Sequence, residues 1–199
     1  MEESRNYVEL WGVADAPPVF SHENHGRRFD KFPLRVERLS GQADRPVIVA
    51  GEDLLRGHPV AAGDDVRVIG QLRSFNNKSG EGSRLILTVL AQSLEQGNGE
   101  SFNRIRLSGV LCKQPVLRRT PLGRSICDLI LAVNRRYGRA DYLPAIAWGQ
   151  VASQVAQMTV GDHLAFEGRV QSRTYTKQLP TGAEERTAYE VSVMNLTEE

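Results

Sequence analysis

The feature that most constrains this chain is that it is written twice. Sliding the sequence by 97 positions aligns residues 6–38 with 103–135 without a gap and gives 11 identities in 33 pairs, among them Asn6/Asn103, Leu10/Leu107, Gly12/Gly109, Pro18/Pro115, Gly26/Gly123, Leu34/Leu131, Val36/Val133 and Arg38/Arg135. After a one-residue shift the register resumes at Gly51/Gly149, Gly63/Gly161, Asp64/Asp162, Gly70/Gly168 and Ser74/Ser172. A repeat of this length exceeds the roughly 20 to 50 residues of solenoid units, so each copy must bury a core of its own. The 199 residues therefore divide into two small domains, 1–96 and 102–199, joined by the polar, Gly-rich stretch 97–101.

Each copy reads as strands. In the second, Ile105 and Leu107 alternate with Arg104 and Arg106, the period of a strand with one face buried. Ser125 to Val133 carries Cys127, Leu129, Leu131 and Val133 on one face, and Tyr142 to Trp148 forms a third strand. The period then changes: Val151, Ala152, Val155 and Met158 follow helical spacing before a turn at Val160-Gly161-Asp162. A fourth strand runs through Leu164, Phe166, Gly168 and Val170, and a last one spans Tyr189 to Leu196. Between them, Lys177 to Glu185, continuing to Thr187, reads as a long hairpin loop. Five strands with one helix between the third and fourth is the order of the OB-fold, a small Greek-key barrel with an oligonucleotide- or oligosaccharide-binding face. The first copy repeats the order, its helix weakened by Gly57 and Pro59. The expected fold is all-β with short helices: two tandem five-stranded OB-fold barrels.

The residues that alternation turns outward are the informative ones. Opposite the core set of the fourth strand lie Arg169, Gln171, Arg173, Tyr175 and Lys177, while Tyr142, Ile146 and Trp148 share one face of the third and Tyr137 sits just before it. Aromatic rings among cations match a single strand of nucleic acid, whose bases offer flat apolar faces beside a row of phosphates. Charge points the same way. Residues 1–100 hold 12 basic and 15 acidic residues, whereas 103–177 hold 12 basic and 4 acidic, about +8, under an overall charge of +1.

The second copy resembles the bacterial single-stranded DNA-binding protein family. The resemblance runs from about 103 to 196 through Asn103 to Val110, Leu131 to Tyr137, Ala147-Trp148-Gly149 and Glu167 to Arg173. It implies base stacking on Tyr137, Tyr142, Trp148 and Tyr175, three of them Tyr where the family often has Trp. Arg118, Arg119, Arg124, Arg136, Arg169, Arg173 and Lys177 would then meet phosphates. The implied function is sequence-independent binding and protection of single-stranded DNA in replication, recombination or repair, without catalysis or cofactor. Family members bring four barrels together, so a tandem chain would be a homodimer. They also end in an acidic tail that recruits replication and repair enzymes; this sequence ends Asn195-Leu-Thr-Glu-Glu199, so recruitment by that route is not expected.

The first copy departs from the pattern. Carried back through the self-alignment, the four aromatic positions become Ser40, Arg45, Ala50 and Asn77. Phe75 and Trp11 are either a relocated platform or, the preferred reading, barrel-to-barrel packing. An alternative function follows: a primosome-like or mobile-element adaptor whose first barrel docks a protein partner. An enzyme is disfavoured by the absence of a nucleophile–base set, nucleophile elbow or P-loop, and Ser79 to Ser83 lacks the Lys of a phosphate cradle. His22 and His25 make an H-x-x-H pair in what reads as a loop, without the glutamate of a zincin motif, so no metal is expected. Cys112 and Cys127 lack C-x-x-C spacing and read as reduced core thiols. No run approaches the 18 or so apolar residues of a membrane helix, and Met1 to Asn6 is too acidic for a signal peptide. The expected location is the cytoplasm, at the nucleoid.

Overall fold

A computed structural model describes residues 5–81 and 84–198. The elements in chain order are β1 (Asn6–Ala14), β2 (Val19–Asn24), β3 (Arg27–Glu37), β4 (Ala43–Asp44), β5 (Val47–Gly51), α1 (Glu52–Gly57), β6 (Asp65–Asn76) and β7 (Leu85–Gln96). The second copy gives β8 (Phe102–Leu111), β9 (Val116–Arg119), β10 (Ser125–Asn134), a 3-10 turn (Arg136–Gly138), β11 (Ala140–Trp148), α2 (Gly149–Val155), β12 (His163–Leu179) and β13 (Gly182–Leu196). Contacts define two compact units, each discontinuous in sequence. The first comprises Tyr7–Arg73 and Thr88–Ile105; the second comprises the chain to Asn6, Ser74–Leu87 and Arg106 onward.

In the first unit the strand order is β2-β3-β5-β7-β6-β1, and β1 returns to β3 through Val13↔Arg35 and Ala14↔Leu34, which closes a barrel. In the second the order is β9-β10-β11-β13-β12-β8, and β8 returns to β10 through Leu111↔Leu131 and Val110↔Ala132. The third barrel strand pairs parallel to the last in both, Ile48↔Val89 in one and Ala145↔Val191 in the other. Each unit is thus a five-stranded closed barrel with a short helix after its third strand and one extra hairpin strand, β2 or β9, to which the first unit adds the two-residue β4 beside β3: the OB-fold.

Alternation decides what fills the barrels. Leu10, Phe32, Leu34, Ile48 and Leu72 are fully buried in the first unit, and Leu107, Leu131, Leu143 and Phe166 in the second. Each such side chain contributes about 1.5 to 3 kcal/mol by leaving water. Closure has its own requirement. A Cβ on Gly12 would stand 2.3 Å from the Arg35 carbonyl oxygen, and one on Gly109 would stand 2.4 Å from that of Ala132. The strand crossing that shuts each barrel therefore brings two backbones too close for any side chain, so both copies carry glycine there.

The internal geometry repeats in detail. Ala14 N–H donates to the Asp64 carbonyl at 2.9 Å as Leu111 N–H does to that of Asp162 at 2.9 Å, and Arg38 grips the fully buried Asp44 as Arg135 grips the fully buried Asp141. Three local expectations are corrected. The stretch from Lys177 to Thr187 is not a loop: β12 and β13 run on as a ribbon to a two-residue turn at Pro180-Thr181, with Lys177↔Glu184 and Tyr175↔Arg186 paired across it. The outer part of the ribbon is largely exposed, so it shows no apolar alternation in sequence. His22 lies in β2, and only His25 and Gly26, both at positive φ, make the turn. Finally, Phe29 pairs with Gly51 as Ile126 pairs with Trp148, so the counterpart of Trp148 is Gly51 and not Ala50. The extra residue of the second copy falls beyond Trp148, where α2 is one residue longer than α1.

Candidate nucleic-acid interface

Residues paired across a sheet share a face, so register alone assembles the site in the second unit. Trp148 lies opposite Ile126, and Ile126 opposite Arg118. On the same face Ile146 lies beside Ser192, and Ser192 opposite Arg169. Following the period of two, Tyr142 and Trp148 of β11, Arg118 of β9, and Arg169, Arg173, Tyr175 and Lys177 of β12 all look out from one side of the barrel. Trp148 is 39% exposed, Tyr142 53% and Tyr137 99%. Of the other predicted residues, Arg119 pairs with Ser125 and lies on the opposite face, while Arg124 and Arg136 sit at turns flanking β10. Tyr137 occupies the 3-10 turn with φ 68° and ψ 31°, a left-handed backbone that costs a non-glycine residue about 1 kcal/mol.

Beneath the exposed groups lies a polar layer that sequence reasoning missed. Gln171 and Glu190 face each other across β12 and β13 and are both buried. Glu190 Oε1 stands 3.4 Å from Arg173 Nε, and Arg118 holds Asp128 through Nε and a second nitrogen at 3.2 Å. Burial pushes the Glu190 carboxyl up from its ordinary range, the neighbouring Asp128 adds to this, and Arg173, Gln171 and Arg118 oppose it. The Nε of Arg169 is buried without a hydrogen-bond partner among the described residues. Arg173 also lies over the Tyr175 ring at 5.8 Å, so its charge and the ring form one surface. The signal for this layer was the alternation itself, which put Gln171 and Glu190 in step with the outward set.

Tyr142 is positioned by residues far away in sequence. Its N–H donates to Ser74 Oγ at 2.9 Å, and Ser74 N–H donates to Asp141 Oδ1 at 2.8 Å. Asp141 in turn holds Arg135, with Nε at 2.6 Å. In the first unit Trp11 is engaged: it packs on Phe102 at 5.6 Å, carries the Arg67 guanidinium over its ring and donates from Nε1 to Glu9 at 2.9 Å. Phe75 is half exposed. Among the described residues no group of three or more His, Cys, Asp or Glu is placed to hold a metal, and no helix is long and apolar enough to cross a membrane.

A closed OB barrel with aromatic rings and guanidinium groups on one face is the build of an oligonucleotide-binding module. Residues 102–197 match the model of the single-strand binding protein family. The chain is 37% identical over 84 residues to single-stranded DNA-binding protein A of Bacillus subtilis, covering 39% of this chain and 49% of that one. It is 36% identical over 82 residues to single-stranded DNA-binding protein 1 of Clostridium acetobutylicum, covering 37% and 74% respectively. The chain belongs to the single-strand binding protein family. It spans about half the length of the Bacillus subtilis relative and about three quarters of that from Clostridium acetobutylicum. Over its whole length it shares the fold of the wild-type single-stranded DNA binding protein from Thermus aquaticus, at TM-score 0.75 and 22% identity, covering 100% of this chain and 94% of that one.

Proposed function

We propose that the protein binds single-stranded DNA without sequence preference, laying bases on Tyr137, Tyr142, Trp148 and Tyr175 and phosphates along Arg118, Arg169, Arg173 and Lys177. The observation that carries this is the register: two of the aromatics and three of the cations come from β9, β11 and the middle of β12, and all look out from one face of the second barrel. Rings accept any base, so such a face reads no sequence, and a duplex hides the base faces it needs. The role is protective binding in replication, recombination or repair rather than catalysis. Residues 102–199 carry this activity, residues 1–96 form the partner barrel, and a homodimer would assemble four barrels. Arg119, on the other face, would act only at the margin.

Trp148→Ala tests the reading. It should weaken binding of a thymidine oligomer at least about fivefold, the loss of one stacked base, while leaving the thermal midpoint near wild type. Equal affinity would show that the face is misassigned. Weak binding by the wild type itself, together with tight capture of one replication protein by residues 1–96, would favour the adaptor function instead.

A further inference from the structure

The first unit lacks an aromatic at the Trp148 position, where Gly51 stands, yet the same face carries rings one strand away. In the second unit the row across β9, β10 and β11 is Arg118, Ile126 and Trp148. The matching row across β2, β3 and β5 is His22, Phe29 and Gly51. A β-bulge at Ser21 shifts the register between Phe20 and His22 and brings His22 opposite Phe29. The two rings are stacked, with centroids 4.9 Å apart and planes 5° from parallel. His22 is exposed and Phe29 partly so. Gly51 leaves the space beside Phe29 open, since even a Cβ there would come no nearer than 3.8 Å to the ring.

The charges around this row differ from those in the second unit. Where the second unit has Asp128, which engages Arg118, the first has Lys31, an exposed cation whose side chain has no partner among the described residues. Arg27 lies on the same face and reaches Asp53 only at 3.9 Å, with both side chains more than two-thirds exposed, an arrangement that solvent screens. Phe20 and Arg28 belong elsewhere: they sit on the opposite face beside Asp30, with Arg28 over the Phe20 ring at 5.3 Å. What remains is a flat aromatic slab bordered by two available cations, with open space over the neighbouring glycine. This is the chemistry of an unpaired base and its phosphate.

We propose that His22 and Phe29 form a second stacking station for single-stranded DNA, with Lys31 and Arg27 meeting its phosphates. The aromatic platform of the first barrel is then relocated by one strand. The proposal rests on the single-strand reading above. The stretch Lys31 to Phe29 to Arg27 follows β3, so a strand lying there meets cation, ring and cation in turn.

The test is photo-crosslinking of the full chain to a thymidine 35-mer carrying 5-iodouracil, with the attached peptides mapped by mass spectrometry. Two sets of crosslinks are expected, one in the peptide spanning residues 19–31 and one in the peptides carrying Tyr142 and Trp148. Phe29→Leu keeps apolar volume but loses the stack, and should abolish the first set while sparing the second. Trp148→Ala should remove the crosslink at position 148 and leave the first set unchanged. His22→Ala, at an exposed position, should also deplete the first set, so the outcome does not depend on Phe29→Leu folding. Crosslinks confined to the second barrel in the wild type would overturn this station and leave the single-strand reading intact. Crosslinks at neither place would overturn both.

Discussion

Asp141→Asn isolates a device used in both halves of the chain. The Asp141 carboxylate is fully buried and accepts from Arg135 and from the Ser74 backbone, which in turn accepts from Tyr142 N–H through its own hydroxyl. Breaking a buried charge pair costs about 3 to 5 kcal/mol when the remaining ion stays in the interior. Arg135 keeps 29% of its side chain exposed and can turn partly to water, so the lower end, about 3 kcal/mol, is expected. With a urea slope of about 1 to 1.5 kcal/mol/M for a small barrel, the unfolding midpoint of the second unit should fall by about 2 to 3 M. Circular dichroism in urea reads this directly. A double-mutant cycle with Arg135→Gln should return about 2 kcal/mol or more of coupling. A loss under about 1 kcal/mol for Asp141→Asn, or additive effects in the cycle, would refute the claim that this pair fixes the approach to β11.

Three further outcomes follow from the same geometry. Burial raises the Glu190 carboxyl, so its contribution to stability is fully present below the ordinary glutamate value of 4.5 and is lost as pH rises through the raised one; Glu190→Gln should flatten that decline in thermal midpoints taken across pH. Tyr137→Gly relieves a left-handed backbone, so it should leave stability within about 1 kcal/mol of wild type while weakening binding of a thymidine oligomer, two effects that urea melts and anisotropy separate. Gly109→Ala puts a Cβ 2.4 Å from a backbone oxygen and should cost about 1 to 3 kcal/mol or prevent closure, as Gly12→Ala should in the first barrel, measured by urea unfolding.

The parts of this fold that were legible are those in which one face is buried. Ile105 and Leu107 had to alternate with Arg104 and Arg106, as Leu164 and Phe166 did with Ala165 and Glu167, and the repeat doubled the evidence for buried strand faces. β9 was not legible, because Val116 to Arg119 is exposed at every position and its alternation carries no polarity. The outer β12–β13 ribbon failed for the same reason: between Thr174 and Glu185 neither face meets a core. In the candidate site, the outward alternation of Tyr142 and Trp148 and of Arg169, Arg173 and Tyr175 was legible, whereas Gln171, in step with Arg173, is buried together with its cross-strand partner Glu190. Their burial is a property of packing and not of period. The Gly51 counterpart of Trp148 turned on where one inserted residue falls, and only the hydrogen-bond register of β3 with β5 places it.

The central claim is that one face of the second barrel stacks bases and neutralises phosphates. The most direct measurement is a fluorescence titration of the full chain with a thymidine 35-mer and with the matching duplex, at several salt concentrations. Four cations on the face predict quenching by the single strand alone and a slope of log affinity against log salt of about −3, at about −0.7 per phosphate contact. Trp148→Ala should remove most of the quenching. Equal quenching by duplex, or no quenching at low salt, would contradict the account.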